Sequence, residues 1–418
     1  MGITSKTVGV LSALSRDYSA TLSVNWIINR RMDLTWFIGA ALSGYALFFM
    51  HAGLSWDMVG IWFLWVVFLD TPHFFGTFSR TYLDKREFQQ RRKLLTWSLL
   101  WFLAGPAMIL LGYGLFELGV SGYQLPWKLL LILLGLWAYW HVVRQHYGFM
   151  RLYQKRNADS HPIDARLDSM LLYAGLLLPF LVYINRHPET RVQVGLSEAL
   201  PAYPPSPAGG RLMAPFDLSY LTALSWEHWI AAISAVIIGT LAIAFLVRQA
   251  MRIRHGEKVN GPKILFMLAV VPLHVSVCFS ATVLTAPLLA FAAFVTVFHD
   301  LQYHALIWFH HRNRYHRPEV DQKQFGWAAK VSGNLFVYAA CAVGFAAIVR
   351  LLGCTFELHP GCTPVLITSE INLFGAFNTD ALLKGFLVGF PLHHYFVDQF
   401  IWKTDRNEEL QNDLKLTA

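Results

Sequence analysis

The chain is poor in charge and in cysteine. Only 14% of its 418 residues are Asp, Glu, Lys or Arg, against about 25% in an ordinary soluble domain. There are four cysteines and no Cys-x-x-Cys, which argues against a thiolate metal site. No His-x-x-His-His box is present, so the histidine pattern of desaturases and alkane hydroxylases is excluded. Internal repeats, low-complexity tracts and nucleotide-binding motifs are also missing, so any reductase or electron donor must be a separate protein. Residues 1–31 are polar and mixed, and a cleavable signal peptide is not expected there.

What fills the chain is apolar. It is 55% hydrophobic and 15% aromatic, with mean hydropathy +0.41. That composition predicts an integral membrane protein, with room for about ten spans of about 20 residues each. The apolar runs fall at about 32–52, 58–79, 94–117, 127–150, 168–185, 226–248, 262–283, 284–309, 326–350 and 379–402. Helices are the default for such spans, because a lone segment in lipid must satisfy its own backbone. The expected fold is therefore all-α: a polytopic membrane helix bundle of about ten helices, forming one transmembrane domain over 1–418. Residues 186–225, with PAYPPSPAGG, read as an extracytoplasmic loop insert rather than a helix.

The net charge of +8 has a topological explanation. Of the 34 Lys and Arg, 28 fall in the N-terminus, the C-terminus and the connections 2–3, 4–5, 6–7 and 8–9. The positive-inside rule then puts both termini in the cytoplasm. The basic excess reflects orientation and contact with anionic membrane lipids, not nucleic-acid binding. A bacterial inner (plasma) membrane is the expected location. Cys354 and Cys362 fall outside on this map, where a disulfide is permitted. Cys278 and Cys341 read as packing residues.

The histidines are unevenly placed. Five of the 17 lie in FHDLQYHALIWFHHRNRYHR, Phe298 to Arg317. His73 lies late in span two, His141 and His146 late in span four, and His299, His304, His310 and His311 late in span eight. His393 and His394 lie late in span ten. All four spans run outward to inward, so their imidazoles can converge at one depth near the cytoplasmic face. The candidate metal ligands are His73, His141, His146, His299, His304, His311, His393 and His394. Between the last two, Asp398 at i+4 favours His394. For His310 and His311 interfacial solvation competes with a site role. His274 reads as a core residue, and His51, His161, His187, His228, His255, His316 and His359 as interfacial filler.

Asp70, Asp300 and Asp398 accompany the histidines. Carboxylates at this depth need a partner or a metal. A non-ligating carboxylate commonly holds the second nitrogen of a metal-bound His. Arg144 lies between two site histidines, placed to neutralise one of these acids or to bind an acidic substrate head. Tyr147 and Tyr303 read as packing residues. Imidazole with carboxylate suits iron, zinc or manganese. His141 and His146 are five apart, as are His299 and His304, which on a regular helix separates each pair by about 140°. A one-residue π-bulge would realign them. His304 and His311, seven apart, share a face, so one metal or two are both compatible.

Four motifs occur in order: Pro72-His73-Phe74-Phe75-Gly76, His146-Tyr147-Gly148, the helix with His299 and His304, and Pro391-Leu392-His393-His394 with Asp398. Their order resembles the Brp/Blh family of integral-membrane β-carotene-cleaving dioxygenases. The resemblance covers about 60 residues in short motifs. It departs from the family in the spacing of the third pair and in the two Phe of the first motif. It implies iron ligation by His73, His146, His299, His304 and His393 or His394.

The expected activity is that of a membrane-embedded, histidine-ligated non-haem iron oxygenase. It would use molecular oxygen on a long apolar substrate: a carotenoid, a fatty acyl chain or another lipid. Alternatives are a zinc-dependent intramembrane lipid hydrolase, and a haem-carrying electron-transfer protein or metal transporter.

Overall fold

The computed structural model describes residues 21–193, 226–288, 290–354 and 379–416. Within them the chain is almost entirely helical. Seven helices are long and apolar enough to cross a membrane: Arg30–Ala52, Gly60–Arg80, Arg92–Glu117, Leu125–Arg156, Pro162–Arg186, His228–Arg254 and Gly261–Phe279. Three further expected spans differ in form. Residues 290–315 make one helix that carries His, Asp and Arg from His299 onward. Leu335–Arg350 is a shorter apolar helix. Residues 379–401 are two helices, Thr379–Leu387 and Gly389–Ile401, meeting at Val388.

The principal helices are α1 Ala41–Ala52, α2 Met58–Trp65, α3 Thr71–Arg80, α4 Trp101–Glu117, α5 Leu125–Arg156, α6 Pro162–Arg186, α7 Trp226–Arg254, α8 Gly261–Phe279, α9 Ala290–Tyr315, α10 Leu335–Cys354, α11 Thr379–Leu387, α12 Gly389–Ile401 and α13 Glu408–Asp413. The chain divides into two compact units: 1–30, 44–54 and 146–295 form the first, and 31–43, 55–145 and 296–418 the second. Helices α1, α5 and α9 contribute to both.

In the first unit α6 packs against α7 and α8. Its N-terminal end is fixed by charge. Lys263 Nζ, fully buried, reaches Asp159 at 2.6 Å and Asp168 at 2.7 Å. Arg252 holds Asp159 at 2.8 Å and Asp164 at 3.2 Å. Asp159 lies in the connection between α5 and α6. Burial alone would raise its pKa, but the charges and hydrogen bonds of Lys263 and Arg252 outweigh that and hold the carboxyl below its ordinary value. Asn260 caps α8, accepting from Lys263 N at 3.1 Å. A two-residue parallel pairing, Leu22 with Val259 and Ser23 with Asn260, ties residues 22–23 to the start of α8.

In the second unit α4 packs against α11 and α12, and α3 against α10 and α12. Glycines set the first contact: a Cβ on Gly385 would come within 2.9 Å of the Gly105 backbone. Such small-residue contacts let helix backbones approach closely where lipid supplies no hydrophobic drive. Ile109, Trp127, Leu130, Leu134, Val388 and Leu392 form a core around it. Val66–Asp70 is a π-helical segment that runs directly into α3, and Pro72 sits in the first turn of α3 immediately after it. A single antiparallel bridge joins Asp84 to Gly326. Gly326 adopts φ 66° there, a conformation that favours glycine.

Of the 186–225 insert, Arg186 ends α6, Pro188–Gln193 is helical, and residues 194–225 lie outside the described residues. The Cys354 side chain and Cys362 also lie outside them, so the structure is silent on that disulfide.

Candidate metal centre

In the second unit four helices each place one histidine at a common point: His73 on α3, His141 on α5, His299 on α9 and His394 on α12. Their exposures are 2%, 8%, 2% and 0%. His394 Nε2 lies 3.1 Å from His73 Nε2 and 3.2 Å from His141 Nε2. The His299 ring centroid is 5.3 Å from that of His73 and 5.1 Å from that of His141.

Three sets of ligand atoms each fall within 4.8 Å: His73, His299 and His394; His141, His394 and Asp398; Asp70, His73 and Asp300. The first two share His394, and the first and third share His73. Two nitrogens each about 2.0–2.1 Å from one ion would stand about 2.8–3.4 Å apart for angles between 90° and tetrahedral. The observed nitrogen pairs fall inside that window. One imidazole nitrogen has either one proton or one lone pair, so His394 Nε2 cannot bond well to both neighbours by itself. A cation shared by these nitrogens would resolve that conflict.

The outer nitrogen of His394 is held from behind. Thr77 Oγ1 donates to Asp398 Oδ1 at 2.9 Å and lies 2.7 Å from His394 Nδ1. With its proton spent on Asp398, Thr77 can only accept from His394 Nδ1–H. That leaves the Nε2 lone pair directed into the cluster. The Tyr303 hydroxyl closes the network, 2.7 Å from Thr77 Oγ1 and donating to Asp398 Oδ1 at 3.1 Å. On the other side Asp300 Oδ1 faces His73 Nδ1 at 3.2 Å, while Trp65 Nε1 donates to Asp300 Oδ2 at 2.9 Å. Gln145 Nε2 donates to the His299 carbonyl at 2.9 Å.

These supports follow a single rule. Thr77, Gln145, Tyr303 and Asp398 each lie four residues after His73, His141, His299 and His394, respectively. On α-helices that places a polar layer one turn, about 6 Å, beyond the imidazole layer. The repeated spacing was present in the sequence. Of its members only Asp398 was read as functional, and Tyr303 was read as packing.

The remaining expected residues lie elsewhere. Helices α5 and α9 carry no π-bulge, so the partners five residues on from His141 and His299 point away. His146 belongs to the first unit, its ring 5.7 Å from His274. His304 Nδ1 lies 3.2 Å from the Tyr338 hydroxyl. His311 shares that Tyr338 neighbourhood, at 5.8 Å between rings, as the seven-residue spacing requires. His393 Nε2 lies 2.8 Å from the Tyr82 hydroxyl, and its ring stacks on Phe78. Arg144 is exposed, with its guanidinium over Trp140. Arg350, not anticipated, is the cation near Asp70: its Nη2 lies 3.6 Å from Asp70 Oδ2 and it donates twice to Thr71 Oγ1. Tyr147 stacks on Tyr173 in the first unit.

Compared with protein families, curated proteins and solved structures, the chain matches none.

Proposed function

We propose that the second unit carries a histidine-ligated iron centre and that the protein is a membrane non-haem iron oxygenase acting on a long apolar substrate. The observation that carries this reading is the convergence of four imidazoles from four helices, with carboxylates behind them and no thiolate. An all-nitrogen and oxygen donor set suits iron. His73, His141, His299 and His394 are the ligands in this reading. One metal or two remain compatible with the overlapping sets.

Iron bound there would supply oxygen activation. The chain's own residues do the rest. Asp398, through Thr77, keeps the His394 proton on Nδ1, and the Asp300 carboxylate faces His73 Nδ1 at 3.2 Å. Phe74, 4.5 Å from the His73 ring and 5.2 Å from His394, and Tyr395, 4.9 Å from His141, give the site apolar walls. Those walls exclude water and accept a hydrocarbon chain from the bilayer; a carotenoid, as in the Brp/Blh dioxygenases, or a fatty acyl chain fits that chemistry. The expected topology is about ten spans with both termini cytoplasmic.

Substrate-dependent oxygen uptake by iron-loaded protein, assayed with β-carotene and with oleoyl lipid, tests the proposal. Uptake with either substrate, lost in His394→Ala, is expected. Stoichiometric zinc with lipid hydrolysis and no oxygen uptake would replace the proposal with the hydrolase reading.

A further inference from the structure

Beyond the polar layer lies a third layer that the metal centre does not use. It contains Arg80, Trp402, His310 and His311, with exposures of 1% for Arg80, 2% for His310 and 0% for His311. The Arg80 guanidinium carbon sits 3.7 Å above the Trp402 ring. His310 is 5.9 Å from Trp402 and 5.9 Å from His311 between ring centroids. Tyr315 closes the group, 5.1 Å from His311 and 6.2 Å from His310.

This group has donors without acceptors. Arg80 spends Nη2 on the Ile401 carbonyl at 2.5 Å, while Nε and Nη1 have no hydrogen-bond partner. His310 Nδ1 and both ring nitrogens of His311 also have none. The nearby acids are already engaged. Asp84 accepts from Arg314 at 2.8 Å and from the Tyr315 hydroxyl at 3.0 Å; Asp413 accepts from Arg314 at 3.0 Å and Arg317 at 2.7 Å and lies 3.7 Å from His310 Nε2; Glu87 pairs with Arg91, and Asp398 accepts from Thr77 and Tyr303. Among the described residues no carboxylate comes within 4.0 Å of Arg80. The charges of Glu87 and Asp398 reach Arg80 only from a distance, so its three unmatched N–H groups, buried on a charged guanidinium, still call for acceptors in contact. A cation does not fit beside it, and neither His310 nor His311 belongs to any triad of ligand atoms within 4.8 Å.

We infer that Arg80, His310 and His311 form a buried oxyanion site that takes one carboxylate or phosphate group. The Arg80 fork matches two oxygens of such a group, and each neutral imidazole adds one N–H. The group can belong to a free inorganic ion or to the head of a fatty acid, and the inference stands independently of the metal centre.

Full-length protein purified in detergent free of phosphate and carboxylate should be denatured and analysed for co-purifying phosphate, sulfate and fatty acid. The same preparation should be titrated with radiolabelled inorganic phosphate and, separately, with radiolabelled laurate. One oxyanion per chain is expected, either carried through purification or bound saturably. Phosphate binding identifies a free ion, and laurate binding alone identifies a lipid head. Arg80→Gln should abolish occupancy. Arg80→Lys, which keeps the charge and loses the fork, should weaken it at least tenfold, as should His311→Phe. Folded wild-type protein that neither carries nor binds either probe would overturn the inference and leave buried water as the partner of these groups. Unchanged binding in folded Arg80→Lys and His311→Phe would overturn it equally.

Discussion

His394 Nε2 lies 3.1 Å from His73 Nε2, although the two residues are 321 positions apart in the chain. His394 is backed by Thr77 and Asp398, and an Asp300 oxygen faces His73 Nδ1 at 3.2 Å. Imidazoles supported from behind in this way suit the metal centre proposed above.

Thr77→Val should therefore act on the metal without touching a ligand. It keeps the shape of the side chain and removes the hydroxyl that links His394 Nδ1 to Asp398. Loss of such a support typically weakens metal affinity by about 10–100-fold. Competition titration with a chelator should read that loss, and Thr77→Ser should restore most of it.

The regularity of α5 and α9 separates the members of each histidine pair. His141→Ala should reduce metal content sharply, whereas His146→Ala should leave it unchanged. His299→Ala and His304→Ala should split in the same way. Metal analysis of the four variants reads this directly. Equal losses within each pair would mean that the helices rearrange around the ion.

The charge cluster of the first unit predicts an acid sensitivity. The Asp159 carboxyl is held below its ordinary value of about 3.9 by Lys263 and Arg252. Its contribution to stability is thus full above that value and is lost as pH falls through the lower, folded-state value. Asp159→Asn should lower stability near neutral pH and flatten its dependence below about pH 4, as measured by unfolding in detergent at graded pH. Lys263→Met, which strands Asp168, should be the harsher change, at about 3–5 kcal/mol for a broken buried pair.

Packing between α4 and α11 depends on two facing glycines. Gly105→Leu would drive a side chain into the Gly385 backbone. A cost of about 1–3 kcal/mol is expected for overpacking of this kind. Gly114→Leu, which meets nothing within 4 Å, should be neutral in the same thermal-unfolding assay.

The apolar runs were legible as helices because period and length suffice to find a hydrophobic helix. The break at Val388 was not, since Leu387 to Gly389 continues the apolar run without a proline. The gathering of His73, His299 and His394 was suggested by their shared place in the helix sequence. Which member of each five-residue pair would face inward was not legible. That choice depends on whether the helix bulges, and the π-helical segments among the described residues fall at Asp33–Ile38 and Val66–Asp70 instead. The partner of Asp70 was missed because Arg350 is distant in sequence and lies in a helix that looked purely structural.

Metal content after purification under low oxygen tests the central claim most directly. Mass spectrometry should find iron near one or two per chain in the wild type and in His304→Ala, and little in His73→Ala or His394→Ala. Folded wild-type protein without stoichiometric metal, or a loss in His304→Ala as large as in His394→Ala, would contradict the centre described above.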